Sequence, residues 1–248
     1  MTQRGTEPNP YSTRECAESY DAARFSTPAG RLVDEIEREI VRAQAPRVYE
    51  GARAADIGTG TGRFAVELGR LGFFVVASDV SGPMLDVTAR SARREASSSL
   101  SLVRGDVYSL PFVAASFDYV VCVHVLNQLR DADSQEKALR ELCRVCRPGG
   151  RVMFDVYNRH SAALLAPASK KGLYTLHQIT GWISDIDNMR IESVTTRLLV
   201  PRTALGIIPS KLLSGAARVD RSLSEVAPQF ATKAYISLSK LRPSPKQQ

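Results

Sequence analysis

Arg53-Ala54-Ala55-Asp56-Ile57-Gly58-Thr59-Gly60-Thr61-Gly62-Arg63 runs from an apolar stretch into three alternate glycines. The apolar residues at 53–57 read as a short buried strand, and the segment from about 61 to 71 reads as a helix. Glycines at such a junction let the backbone turn sharply and pass close to a ligand, while the helix start offers free N–H groups and positive potential. Taken alone, the turn also suits a plain strand-to-helix connection. Asp79 adds a chemical reason for it. It ends the next apolar run, in Ser78-Asp79-Val80-Ser81, and adjacent parallel strands would place its carboxylate beside the glycines.

Outward from this stretch the chain alternates. Further strands are expected at 73–78, 100–104, 117–123 and 151–156, with helices near 83–96 and 134–146. Asp133 or Ser134, ahead of Glu136, suits the start of the last helix, and Arg147-Pro148-Gly149-Gly150 breaks the chain after it. The rhythm implies right-handed crossovers and a Rossmann-like, doubly wound α/β sheet, mostly parallel. The unbroken apolar character of 117–123 suits a central strand buried on both faces. Upstream, Thr27 and Pro28 open a helix to about Ala43, with Leu32, Ile36 and Ile40 on one face. Past Val156 the pattern changes: 157–189 read as loop and helix, 190–200 and 231–240 as strands added antiparallel at the sheet's edge, and 202–228 as an insertion between them. One domain is expected, with a cofactor-binding core at about 45–156 and acceptor-site cover from 11–43 and 157–230.

Several motifs stand in order along this scaffold. Asp56-x-Gly58-x-Gly60-x-Gly62 is followed by Asp79 and by Met84 in Ser81-Gly82-Pro83-Met84-Leu85. Gly105-Asp106-Val107, Ser116-Phe117-Asp118 and Arg147-Pro148-Gly149-Gly150 come next. In these residues the chain resembles the class I S-adenosylmethionine-dependent methyltransferases, in particular the subgroup that includes quinone-biosynthesis enzymes; the resemblance covers roughly 15–160. It implies that Asp56 and the glycines hold the methionine end of S-adenosylmethionine and that Asp79 binds the ribose. It also puts Met84 on the adenine, Asp106 near the adenine amino group, and Val80, Val107 and Val123 along the same site. Tyr20 corresponds to an N-terminal aromatic that closes over the cofactor, with Arg24 beside it.

Each of these residues also has a purely structural reading: turn glycines, Asp79 as a helix cap, Asp106 as a turn former, Met84 as core. Methyl transfer itself asks little beyond alignment and exclusion of water. A general base is needed only where the acceptor must lose a proton. The candidate is His124, just past the fourth strand, although packing would explain it too; relatives often carry histidines near the positions of Asn127 and Gln128. Cys143-x-x-Cys146 is half a zinc motif with no second pair, three apart on one helix face, so it reads as core and no metal is expected. His160, His177 and Trp182 lie where cover over the acceptor is expected.

Four cysteines are too few and too scattered for a secreted disulfide framework in 248 residues. No apolar run reaches membrane-spanning length, and the first residues lack a signal core, so a cytoplasmic enzyme is expected. Charge divides unevenly: residues 151–248 hold 14 Lys and Arg against 6 Asp and Glu, and residues 1–150 hold 19 against 20. A basic C-terminal third suits a solvated face, an anionic lipid surface or nucleic acid. The alternate glycine spacing argues against a nicotinamide dehydrogenase. Neither an Asn/Asp-Pro-Pro-aromatic motif nor an RNA-binding module supports nucleic acid as the acceptor. The expected function is therefore methylation of a small, hydrophobic acceptor at oxygen, carbon or nitrogen. An RNA methyltransferase and a non-catalytic cofactor-binding subunit are the alternatives. Residues 204–219, apolar but broken by Lys211 and Arg218, suit a pocket lining or a peripheral membrane contact.

Overall fold

A computed structural model describes residues 11–95, 99–129, 131–158, 173–174, 176–197 and 205–242. Helices α1 (Arg14–Phe25) and α2 (Pro28–Gln44) precede β1 (Arg53–Ile57), α3 (Arg63–Arg70), β2 (Phe74–Asp79), α4 (Gly82–Arg94) and β3 (Leu100–Arg104). After these come β4 (Phe117–Cys122), α5 (Ala132–Val145) and β5 (Cys146–Asn158). The last part contains β6 (Leu173–Tyr174), α6 (Leu176–Ser184), β7 (Met189–Arg197), α7 (Leu213–Val226) and β8 (Lys233–Lys240). The strands lie in the order β3-β2-β1-β4-β5-β8-β7, with β6 paired to β5 off this path. Pairing is parallel from β3 to β5, and β8 and β7 join antiparallel, as their position after the last crossover led us to expect. Strand order reverses between β1 and β4, which opens a crevice at their carboxyl ends.

Alternation along the strands sorts the core onto two faces. Ala55, Val120, Cys122, Phe154 and Ile236 meet Leu139 and Leu142 of α5. Ala54, Tyr119, Val121, Met153 and Tyr235 meet Ile40 and Val41 of α2 and Phe64 and Leu68 of α3. Phe64 and Leu68 are almost fully buried, and each such side chain contributes about 1.5–3 kcal/mol by leaving water.

The structure departs from the sequence expectations in several places. Tyr20 and Arg24 do not precede the first helix but sit on α1, which Thr13 caps by accepting the Cys16 N–H. The cap of α5 is Asp131, whose carboxylate takes the Ser134 N–H at 2.7 Å, rather than Asp133 or Ser134. Residues 147–150 do not separate helix from strand. Instead α5 passes directly into β5 at Cys146, and the left-handed Gly149 (φ +82°) takes up the bend within it. Trp182 packs, partly buried, on the α5 face of the sheet with Ile179 and Ile183, while His177 is exposed. His160 lies outside the described residues. In the insertion, Leu205 packs on Ala29 and Val33 of α2, yet Ile207, Leu212 and Val219 face outward.

Candidate functional site

The three glycines all adopt positive φ, at +70°, +56° and +86° for Gly58, Gly60 and Gly62. Their surroundings differ. A Cβ on Gly58 would lie 2.1 Å from Val125 Cγ2, and one on Gly62 would lie 2.8 Å from Thr88 Cγ2, so packing forbids a side chain at both. A Cβ on Gly60 would meet nothing within 4 Å. Gly60 therefore faces open space at the mouth of the crevice. Asp56 supports the turn from below, its Oδ2 accepting the Thr59 hydroxyl at 2.6 Å. It is 1% exposed, and burial pushes its carboxyl up to about 6.

Asp79 joins the two neighbouring turns. Its Oδ2 accepts the Gly60 N–H and its Oδ1 the Ser81 N–H, both at 2.9 Å. A carboxylate has more acceptor positions than these two bonds occupy. Burial raises the Asp79 carboxyl above its usual range, and the backbone N–H groups oppose that rise. Val80 beside it is 47% exposed. Asp106 is exposed just past β3, where its Oδ1 accepts the Tyr108 N–H at 2.9 Å, and Val107 is partly buried. Met84 is buried with Ala17 and Val87 against Tyr11 and Tyr20, so the structure places it beneath α1. Tyr20 stacks edge-on to Tyr11 with ring centroids 5.7 Å apart, and the Arg24 guanidinium lies 4.9 Å from its ring. Two hydroxyls strap this N-terminal segment over the turns: Thr61 donates to Asp21 and Ser81 to the Tyr11 carbonyl, both at 2.7 Å. An open glycine, a two-oxygen acceptor for vicinal hydroxyls and an exposed rim at Val80 and Asp106 fit a nucleoside with an amino-acid tail.

Past β4 the construction is different. Val123 is buried, and His124 follows in a left-handed conformation (φ +65°), its N–H given to Asp155 Oδ1 at 2.7 Å. The His124 ring meets Glu37 of α2, with Nε2 2.8 Å from Oε1, and Lys233 Nζ stands 3.2 Å from Nδ1. The same ammonium is 3.3 Å from Nε2, so it lies against the ring rather than on one nitrogen, and Glu37 is the partner that assigns a proton to Nε2. Lys233 also pairs with Glu37 at 3.0 Å and Asp155 at 2.9 Å, and Tyr235 donates to Glu37 at 3.1 Å. All four of these residues are at most 2% exposed. Burial opposes ionisation of both carboxyls, but the facing cations hold Glu37 well below the usual range and lower Asp155. Burial likewise opposes the Lys233 charge, and Asp155 and Glu37 overcome it and raise the ammonium well above its usual value.

The network continues to the glycine turn. Arg63, the first residue of α3, pairs with Glu37 at 3.1 Å and with Asp34, and lies 4.1 Å over the Phe25 ring. Asn127 closes the other side, donating to Asp155 at 3.1 Å and accepting the Tyr157 N–H at 2.9 Å. Glu37, Arg63, Asp155, Lys233 and Tyr235 were not singled out from sequence. A signal existed: Glu37 falls on the same helix face as Val33, Ile40 and Val41, and Asp155 interrupts the apolar run from Val152 to Val156; Lys233, at the start of its strand, carried no such mark. Cys143 and Cys146 are buried in the core, where burial pushes both thiols up to about 12. Among the described residues no three His, Cys, Asp or Glu side chains are placed to hold a metal, and no helix is long and apolar enough to cross a membrane.

Residues 55–154 match a methyltransferase domain family. A demethylmenaquinone methyltransferase of Mycobacterium bovis is 35% identical over 157 residues, 63% of this chain and 62% of its own length. A ubiquinone/menaquinone biosynthesis C-methyltransferase of Pseudomonas paraeruginosa is 29% identical over 61% of this chain and 60% of its own. The chain thus spans about three-fifths of the curated relatives it matches. Among solved structures, the magnesium protoporphyrin IX methyltransferase of Synechocystis with bound S-adenosylhomocysteine covers 91% of this chain and 96% of its own at TM-score 0.62. At 13% identity it establishes the shared fold.

Proposed function

We propose that the chain, whose residues 55–154 match a methyltransferase domain family, is a class I S-adenosylmethionine-dependent methyltransferase that methylates a small, apolar acceptor of the quinol type. The observation that carries this reading is Asp79, whose two oxygens accept N–H groups from both the glycine turn and the β2 turn at the carboxyl ends of adjacent strands. Asp79 would hold the ribose hydroxyls, and Gly58, Gly60 and Gly62, supported by Asp56, would hold the methionine end. Val80, Asp106 and Val107 would flank the adenine, with Val123 below the transfer site and Tyr20 and Met84 acting through the α1 cover. The bound cofactor supplies a methyl carbon already activated by its sulfonium.

The chain's own residues orient the acceptor and exclude water, which is where the catalytic advantage of such a site lies. His124 acts by position in this scheme. The Lys233 ammonium, 3.2 Å from Nδ1 and 3.3 Å from Nε2, and the Glu37 carboxylate, 2.8 Å from Nε2, hold the ring in place and disfavour its taking up a further proton as a general base would. An acceptor that is ionised or electron-rich before binding suits such a site, and the quinone methyltransferases among the relatives support that class.

The test is transfer of labelled methyl from S-adenosylmethionine to a reduced demethylnaphthoquinone, to bulk RNA, and with no acceptor added. Label should enter the quinol and S-adenosylhomocysteine should accumulate. Label entering RNA alone would move the substrate to nucleic acid. Cofactor binding without transfer to any acceptor would favour a non-catalytic subunit.

A further inference from the structure

Helix α7 is built inside out. Toward the body of the protein it turns Leu213, Asp220 and Ser224, all buried, and Thr196 of β7 donates to the Ser224 carbonyl at 2.9 Å. A surface helix ordinarily directs its apolar stripe inward and its polar residues outward. On α7 and its flanking turns, Leu212, Val219, Leu223, Val226 and Phe230 are 59%, 58%, 50%, 83% and 49% exposed. Within the helix the partly buried Ala216 and the exposed Val219, Leu223 and Val226 are spaced three, four and three residues apart, and Leu212 and Phe230 stand in the turns at its two ends. That is the repeat by which one helix packs along another.

We propose that this seam is where a second copy of the chain docks, helix α7 against helix α7 across a twofold axis. Three observations favour that occupant over a lipid surface. The exposed apolar arc is narrow, whereas a helix lying in a bilayer interface presents a broad apolar face. Gly215 and Ser222, the residues beside the seam on its outer side, are small and uncharged and let a partner helix approach. Basic residues do not line it: Arg218 and Glu225 stand farther round the helix with opposite signs, and Arg221 is occupied with Glu39 at 2.7 Å. Ile207, 85% exposed before the helix, extends the apolar surface at its N-terminal end. A symmetric contact uses the same patch twice, so it closes at two copies.

Sedimentation velocity of the full chain across micromolar concentrations tests this, with Leu223→Glu and Arg218→Glu as variants. Both residues are exposed, so unfolding is not expected from either change, and unaltered thermal melting verifies that. Wild type and Arg218→Glu should reach a dimer, whereas Leu223→Glu should stay monomeric at concentrations at least tenfold higher. A wild type that is monomeric throughout would overturn the proposal. So would a Leu223→Glu protein that still dimerises, or a monomer that binds anionic vesicles and loses them with Arg218→Glu.

Discussion

Around the β1–β2 turns the carboxyl edge of the sheet is made of backbone, and around β4, β5 and β8 it is made of buried charge. The first region uses three left-handed glycines and one carboxylate that collects N–H groups from both turns. The second joins Glu37, His124, Asp155 and Lys233, which are far apart in sequence, in a nearly anhydrous cluster. Backbone cradles hold a ligand whose shape is constant, because main-chain groups cannot be exchanged by mutation. Side-chain clusters hold chain segments together, and here they pin α2 and the end of β4 to the strand that completes the sheet. On the function proposed above, the difference separates a region that would bind the cofactor from one that fixes the geometry around it.

The harshest test of that division is Lys233→Met. It takes the cation from the buried Asp155 and leaves Glu37 with Arg63 as its remaining guanidinium partner, and breaking such a buried pair costs about 3–5 kcal/mol. Thermal unfolding should drop by roughly 10 °C or more in a chain of this size. Adding Glu37→Gln and Asp155→Asn should recover much of the loss, because the stranded charges are then gone. A fall of only a degree or two would show that water reaches the cluster and that it does not pin the fold.

On the binding side, Asp79→Ala should weaken S-adenosylhomocysteine by about 2–4 kcal/mol, measured calorimetrically, through loss of two charge-assisted hydrogen bonds. Asp106→Ala, at an exposed rim position, should cost less. Equal losses would remove the special place given to Asp79.

Asp56 allows a pH test that the salt-bridged cluster does not disturb. Burial raises its folded pKa to about 6, above the ordinary 3.8 of an aspartate, so the folded state holds the extra proton and stability falls as pH rises between those values. The expected decline is on the order of 2–3 kcal/mol. Glu37 and Asp155 are shifted the other way, so their contribution is present above the ordinary carboxylate range and is lost only at lower pH. Urea midpoints for Asp56→Asn should lose much of the slope between pH 4 and pH 6.5, the raised Asp79 carboxyl keeping a part of the same sign; an unchanged slope would place its origin elsewhere.

The mildest change is Gly60→Ala. Space is free there, so only the left-handed backbone is strained, at about 1 kcal/mol of stability. Cofactor affinity should suffer more than stability, because the methyl points into the space the ligand would use. The reverse ranking would mean that Gly60 serves the fold alone.

These two regions also differ in how far sequence revealed them. The glycine turn, Asp79 and the strand rhythm are local patterns within a few tens of residues, and they led directly to the sheet and its switch point. The partners of His124 come from 87 residues before it and 109 after it, and no local period announces that Glu37, Asp155 and Lys233 meet. Only Glu37 and Asp155 were marked, by their charge on otherwise apolar stretches. Helix α1 escaped notice because its apolar pattern is weak and only Ala17 is buried on it. The inverted orientation of α7 was hidden for the opposite reason: its apolar periodicity is clear, but periodicity does not say which face meets the body.

The most direct measurement is a crystal structure of the complex with S-adenosylhomocysteine. The ribose hydroxyls should lie within hydrogen-bond distance of Asp79, the amino-acid tail should run over Gly60, and both His124 ring nitrogens should remain on Glu37 and Lys233. A ribose bound away from Asp79, or a His124 ring turned to present a nitrogen to the ligand's sulfur, would contradict the separation of binding and anchoring that the two regions embody.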